Sequence, residues 1–414
     1  MSAKEAAAEL NINLATLYAY VSRGILQSEA RTGTRARRYL VTEIRALAEK
    51  TRVSALPSAS NPPLFFGPPV LDSAIIFTDG QRLYFRGHDV ALLAKTGESL
   101  ESIAGLIWDC DAHVCFAMPP PALLARHEAF RAANVAEDAL VQAQALLPLI
   151  GQQDVRAYDF SQSGIARTGA VILRLMASLV AATTPCPAPV HEVLASGWSI
   201  ESEALLLRSA LILAADHELN ASSFAVRVVA SASASPYQAV AAGLATLQGA
   251  RHGGEIERTY RLLQEIKNSL LSPDAVVADW MRRGDAVAGF GHNLYPEADP
   301  RAQALLEMMR VRSKTDKQAE ILRVIDVVQA VVGKALNFDG ALAVLVMYLD
   351  LPASAGLYIL ATGRVVGWIG HAIEQYQTPT LIRPRARYKG LKLRDEKRDE
   401  TACSTWNNVA QGER

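Results

Sequence analysis

Five prolines fall between Ser54 and Pro69: Pro57, Pro62, Pro63, Pro68 and Pro69. Each holds its own φ at about −65° and removes a backbone donor, so neither a helix nor a central strand can run through them. An extended linker over 53–70 is therefore expected, between a short leading segment, 1–52, and a long main segment, 71–390. A charged, polar tail over 391–414 follows, and its mixed charges read as a solvated face. With 414 residues, half of them hydrophobic, the main segment can bury a large core. Aromatics make up only 7%, and the apolar content is mostly Ala, Leu, Val and Ile, which points to helices.

Lys plus Arg equals Asp plus Glu at 42 each, which excludes a uniformly basic nucleic-acid coat and makes any basic surface local. Cys110, Cys115, Cys186 and Cys403 have no zinc-finger spacing and read as free thiols of a reducing compartment. MSAKEAAAEL has no apolar signal core, and no uncharged apolar run reaches membrane-spanning length. A cytoplasmic protein with no membrane and no metal is the expectation.

Local basic charge does occur in the leading segment, where residues 1–52 hold nine Lys and Arg against five Asp and Glu. Ser2 with Glu5 forms a capping box for a helix through Leu10. Leu14, Leu17, Tyr18 and Val21 mark a second helix, ended at Arg23-Gly24. Arg31, Arg35, Arg37 and Arg38 surround a turn at Gly33, and a third helix spans 41–50. The words KEAAAELNINLATLYAYVSRGIL and RARRYLVTEIRAL resemble a winged helix-turn-helix of the MerR/excisionase type. The resemblance implies a recognition helix in the major groove and those four arginines on phosphates. A helical cap packed on the rest of the protein fits the same residues.

In the main segment, alternating apolar residues flank Asp79-Gly80 within Ile75–Ala94 and predict a β-hairpin, followed by a helix at Asp89. Amphipathic helices continue to about Gln377. Three polar stretches interrupt them: Asp216-His217-Glu218 after an apolar helix, Gly289-Phe290-Gly291-His292, and Asn337-Phe338-Asp339 at a helix start. Taken singly, each has an ordinary structural explanation. A histidine between apolar helices is commonly a hydrogen-bonded core residue, and an aspartate at a helix start is commonly a cap.

Taken in order, DHELNAS, LQGARHGG, GFGHNLY with DPRA, NFD, and GRVVGWIGHAIEQ with RPRARY resemble the citrate synthase family over about 320 residues. The resemblance implies a mainly α fold of large and small helical domains, preceded here by the small winged helix-turn-helix domain. It also implies condensation of acetyl-CoA or propionyl-CoA with a 2-oxo dicarboxylic acid, oxaloacetate, in a homodimer. Acyl-CoA would be a substrate, and no separate cofactor is implied. Asp339 matches the carboxylate base, His217 the histidine on the thioester oxygen, and His292 the histidine that polarises the 2-oxo carbonyl. Arg301, Arg364 and His191 match substrate carboxylate binders, and Arg383 an arginine reaching into a partner's site. Gly289, Phe290 and Gly291 would let backbone approach CoA. His252 and His371 read as structural.

This chain departs from the family pattern in two places. Asn293 and Pro296 stand where basic residues often meet CoA phosphates, which leaves that role to Arg251, Arg282 or Arg283. Glu255-Ile256 stands where Ala-Asn often follows the two glycines after His252. A second function fits the same features, a metabolite-sensing regulator that binds DNA through its leading segment. A sensor requires the arginines but not the base, so retention of His217, His292 and Asp339 favours the enzyme.

Overall fold

The computed structural model describes residues 71–120, 123–284, 287–378, 380–384 and 390, and nearer the N-terminus 2–10, 17, 21, 26, 28–30, 37–41 and 44. Leu71–Ile382 form one compact unit, and the described residues outside it belong to another. In the latter, helix Ala3–Glu9 starts with the expected reciprocal cap: Ser2 N–H donates to Glu5 at 2.8 Å and Glu5 N–H to Ser2 Oγ at 3.4 Å. Strands Ser28–Ala30 and Arg37–Tyr39 pair antiparallel, so Arg37 and Arg38 lie on a two-stranded ribbon. Leu10, Leu17, Leu26, Tyr39 and Ile44 share a small apolar core with Ala6 and Ala7. Arg31, Arg35, the linker 53–70, the tail 391–414 and most of the expected second helix lie outside the described residues.

The larger unit opens with the expected hairpin. Ile76–Thr78 pairs with Leu83–Phe85, and a short strand, His88–Asp89, joins the far edge. Asp79 accepts the amides of Gln81 and Arg82, which closes the turn. Asp89 caps helix Val90–Lys95. The rest of the unit is helical, and its axis is the long helix Ser354–Tyr376, buried along almost its whole length. Packed on it are Leu100–Trp108, Gln162–Val180, Ala204–Ala214, Ala221–Ser231 and Pro236–Leu247. Gln162–Val180 is long and apolar enough to cross a membrane by length and composition, and 89% of it is buried inside the unit. A second group, Gly254–Asn268, Pro300–Arg312, Asp316–Val332 and Phe338–Tyr348, packs mainly within itself and shares the same core.

Ser354–Tyr376 makes a close approach to the end of Ala204–Ala214. A Cβ on Gly363 would lie 2.6 Å from Leu211 O, and one on Gly367 would lie 2.5 Å from Ala215 O and 2.6 Å from Asp216 Oδ1. With no side chain in the way, Gly367 N–H donates to Ala215 O at 3.0 Å, and Arg364 Nε to Ala214 O at 2.9 Å. The small residues of GRVVG thus press Arg364 against the turn that carries Asp216 and His217. Overpacking such a contact costs about 1–3 kcal/mol. Gly367→Ala should therefore lower the urea midpoint of unfolding by a corresponding amount at unchanged slope; an unchanged midpoint would show that the backbone contact is not tight.

Candidate active site

The candidate residues sit on four turns, each fixed by a helix start. Asn220 Oδ1 accepts the amides of Ser222 and Ser223 and starts Ala221–Ser231 just after His217. The turn Gln248–Gly253 carries His252 into Gly254–Asn268. Asp299, with Pro300 in the first turn, starts Pro300–Arg312 and places Arg301. Asn337, not Asp339, caps Phe338–Tyr348, which frees the Asp339 carboxylate from capping.

Between these turns lies a cavity of about 980 Å3. His252, Glu255, Phe290, Gly291, His292 and Asp339 line it, with Arg251 and Lys334 as its cationic lining. Beside it the His217 and His292 rings meet edge-on at 5.1 Å, and Tyr295 touches both. His217 Nε2 lies 3.1 Å from the Tyr295 hydroxyl. Burial first, then the charges of Arg301 and Arg364, hold His217 well below the ordinary histidine range. His292 is lowered as well, chiefly by burial. Its Nδ1 accepts Leu294 N–H at 3.0 Å, so the proton of the neutral ring is on Nε2. His252 is pushed down to about 4 by burial and by Arg364. Its Nε2 is 3.0 Å from Ser222 Oγ, which also receives Trp368 Nε1–H at 3.2 Å, so Nδ1 is the nitrogen left for a ligand.

Two buried guanidinium groups complete the cluster. Arg301 forks onto Asp299, with Nε to Oδ1 at 3.0 Å and Nη2 to Oδ2 at 2.7 Å, and lies 4.7 Å over the Phe338 ring. Among the described residues Arg364 gives only Nε to a protein acceptor; burial lowers it to about 10, so it remains a cation at neutral pH. A buried cation whose terminal nitrogens have no protein acceptor is a site for an anion. Asp339 responds in the opposite sense. Burial raises it to about 6, Arg301 and Arg364 pull it down, and Glu255 and Asp299 push it up.

His217, His292, Asp339, Arg301, Arg364 and the Gly289–Gly291 loop thus come together. His191 does not. It is buried on Val190–Gly197, between Gln162–Val180 and Ala204–Ala214, and its charged neighbours are Glu101, Glu192 and Arg208. The substrate role expected for it is corrected, because helix packing directs it into the interior away from the cavity. Arg383 is exposed and lies in the other unit. Arg282 and Arg283 pair with Asp279 and do not line the cavity, whereas Arg251 does. Sequence reasoning passed over His252, Glu255, Tyr295 and Lys334 as site residues. For His252 a signal was present, since a histidine beside two glycines after an apolar helix repeats the pattern of the His292 loop.

Helices around a cavity lined by two histidines and a carboxylate, backed by buried arginines, define an acid–base site for an anionic substrate. A family model described as citrate synthase, C-terminal domain, matches residues 65–385, and the chain belongs to the citrate synthase family. It is 36% identical over 187 residues to a citrate synthase of Haloferax volcanii, covering 44% of this chain and 49% of that one. It is 30% identical over 188 residues to a 2-methylcitrate synthase of Shewanella oneidensis, covering 44% of this chain and 50% of that one. The chain spans about half the length of the curated relatives it matches. A citrate synthase of Thermoplasma acidophilum, solved with carboxymethyl coenzyme A and oxaloacetate, superimposes with a TM-score of 0.65 at 22% identity, covering 79% of this chain and 95% of that one. At that identity the likeness shows the fold.

The raised Asp339 has a consequence for stability. Its folded value of about 6 exceeds the unfolded value, so ionising it opposes folding, and the penalty develops as pH rises from about 4 to above 6. The full penalty is on the order of 2–3 kcal/mol. Asp339→Asn should therefore raise the thermal midpoint at pH 8 and change it little at pH 4. Equal effects at both pH values in calorimetry would show that Asp339 is not strained by its surroundings.

Proposed function

We propose that this protein condenses acetyl-CoA or propionyl-CoA with oxaloacetate and hydrolyses the resulting thioester to citrate or 2-methylcitrate and CoA. The observation that carries this reading is the convergence of His252, His292 and Asp339 on one cavity with Arg301 and Arg364 beside it. The protons next to a thioester are weakly acidic, so a carboxylate can remove one only where the enolate oxygen is stabilised as it forms. Asp339 takes the proton. The resemblance gives the thioester oxygen to His217, but the geometry favours His252, which shares the cavity wall with Asp339 and has Nδ1 free. His217, next to Arg301 and Arg364, instead joins those arginines in holding the 2-oxo acid. His292 Nε2–H polarises the 2-oxo carbonyl and protonates the new alkoxide. Arg251 and Lys334 meet the phosphates in place of the uncharged Asn293 and Pro296, and the Gly289–Gly291 backbone follows the CoA. In this scheme acyl-CoA is a substrate and no separate cofactor takes part.

We further propose a homodimer in a reducing cytoplasm. Val141 and Leu149 on Ala139–Gly151, and Val228 on Ala221–Ser231, are exposed apolar side chains that suit a second copy. Arg383 would then reach a partner's site. A monomer in sedimentation velocity would remove that role. A DNA-binding role for the leading segment is compatible with catalysis and is supported by its basic excess and by Arg37 and Arg38 on the ribbon. Binding to duplex DNA should then weaken steeply with salt, and no binding at low salt would remove it.

The decisive assay follows CoA release with a thiol reagent, using oxaloacetate with each acyl-CoA in turn. Turnover is expected with at least one, with Asp339→Ala and His252→Ala each reduced by a factor of about a hundred or more. Because Asp339 must be ionised, kcat/KM should fall about tenfold per pH unit below about 6. No turnover by a folded protein that still binds oxaloacetate would refute the synthase and leave a sensor.

A further inference from the structure

The His252 turn, the His292 loop and the Asp339 helix are far apart in the chain, and Gly289 ties them together. Its N–H donates to Glu255 Oε1 at 2.9 Å, and its carbonyl accepts Asn337 N–H at 2.8 Å. Asn337 caps the helix that carries Asp339, and its side chain also donates to Gly291 O at 3.1 Å. Glu255 lies three residues after His252. Its other oxygen takes Arg258, whose Nη1 returns to Ala250 O at 3.1 Å, so the carboxylate is anchored to the turn that bears His252. Gly289 has φ +87°, and a Cβ there would meet the Thr259 hydroxyl and lie 3.1 Å from Gly340 Cα. The joint therefore accepts only glycine.

We propose that Glu255 is a positioning residue for the condensation: by holding the Gly289 amide, it fixes the His292 loop and the start of the Asp339 helix against the His252 turn. This rests on the synthase reading above. Alanine, which often stands at this position in the family pattern, could not accept that N–H. Where alanine stands there, this brace is absent. An amide left there without a partner would cost the loop its register.

The carboxylate has a second effect, because it also lines the cavity. The charged and titratable groups around Asp339 are Arg301 and Asp299, Arg364, Glu255, and the cavity histidines His252 and His292. Among them Glu255 and Asp299 oppose the two arginines and keep Asp339 a stronger base. Removing the Glu255 charge should therefore make Asp339 ionise at lower pH.

Two variants of the full-length protein separate the two effects. Glu255→Gln can still accept Gly289 N–H but carries no charge, whereas Glu255→Ala does neither. With 13C-carboxyl-labelled aspartate, the Asp339 resonance is identified by its loss in Asp339→Asn. Its titration midpoint should drop by about half a unit or more in Glu255→Gln. The acid limb of kcat/KM should move the same way. Glu255→Ala should lose at least tenfold in kcat with a smaller change in KM, and Glu255→Gln should recover part of that loss. The NMR readout does not require turnover. A midpoint shift in a protein that releases no CoA would sustain the contact and overturn the synthase. Turnover that is the same in all three proteins, with an unmoved Asp339 midpoint, overturns the role of Glu255.

Discussion

Asp299 is the side chain on which the site depends. One oxygen accepts Arg301 N–H and Nε–H, each at 3.0 Å; the other accepts Arg301 Nη2–H at 2.7 Å and Phe338 N–H at 3.2 Å. Four donors fill a carboxylate that has almost no exposed surface. A single buried anion therefore starts one helix, orients the Arg301 guanidinium and pins the first residue of the helix that carries Asp339. Burying such a pair is expensive unless every lone pair is used, and here every one is. The protein's own hydrogen bonds thus hold the cluster in place, the kind of fixed polar arrangement on which electrostatic catalysis depends.

The charge arrangement explains why the histidines are kept neutral. Burial disfavours protonation of all three; the charges of Arg301 and Arg364 add to it at His217 and that of Arg364 at His252, whereas at His292 Asp299 opposes Arg301 and burial decides. Neutral imidazoles can donate to developing oxyanions without adding further cations to a buried cluster that already holds two. The same arginines draw Asp339 downwards while burial draws it up, which leaves a base near neutrality. The site is tuned by opposed contributions, of which burial is the largest.

Much of this was legible in the sequence where the signal is local. The hairpin around Asp79-Gly80, the helix at Asp89, the tight GFGH loop and the helix start at Asn337-Phe338-Asp339 each come from neighbouring residues, and the structure has them. What was not legible depends on distant partners. The surroundings of His252 are made by Ser222 and Trp368, thirty and more than a hundred residues away, so beyond the two glycines that follow it the chain carries no local mark of its use. His191 shows the converse: its position in the order of motifs suggested a ligand, but the packing of Val190–Gly197 decides where it faces. The cap at Asn337 was hidden by the more conspicuous aspartate two residues on.

The amide of Leu294 imposes one more condition. By occupying His292 Nδ1 permanently, it makes that imidazole single-ended: a proton given up by Nε2 has to return to Nε2. In the proposed reaction that nitrogen faces the substrate, so the ring cannot be recharged from behind while product is in place. The proton that Asp339 takes and the proton that His292 gives then balance, so after condensation the enzyme has lost none; the proton has only moved from His292 Nε2 to Asp339. Both groups face the one cavity, and the cycle resets when a proton crosses that cavity from the carboxyl to the same ring nitrogen that gave one up.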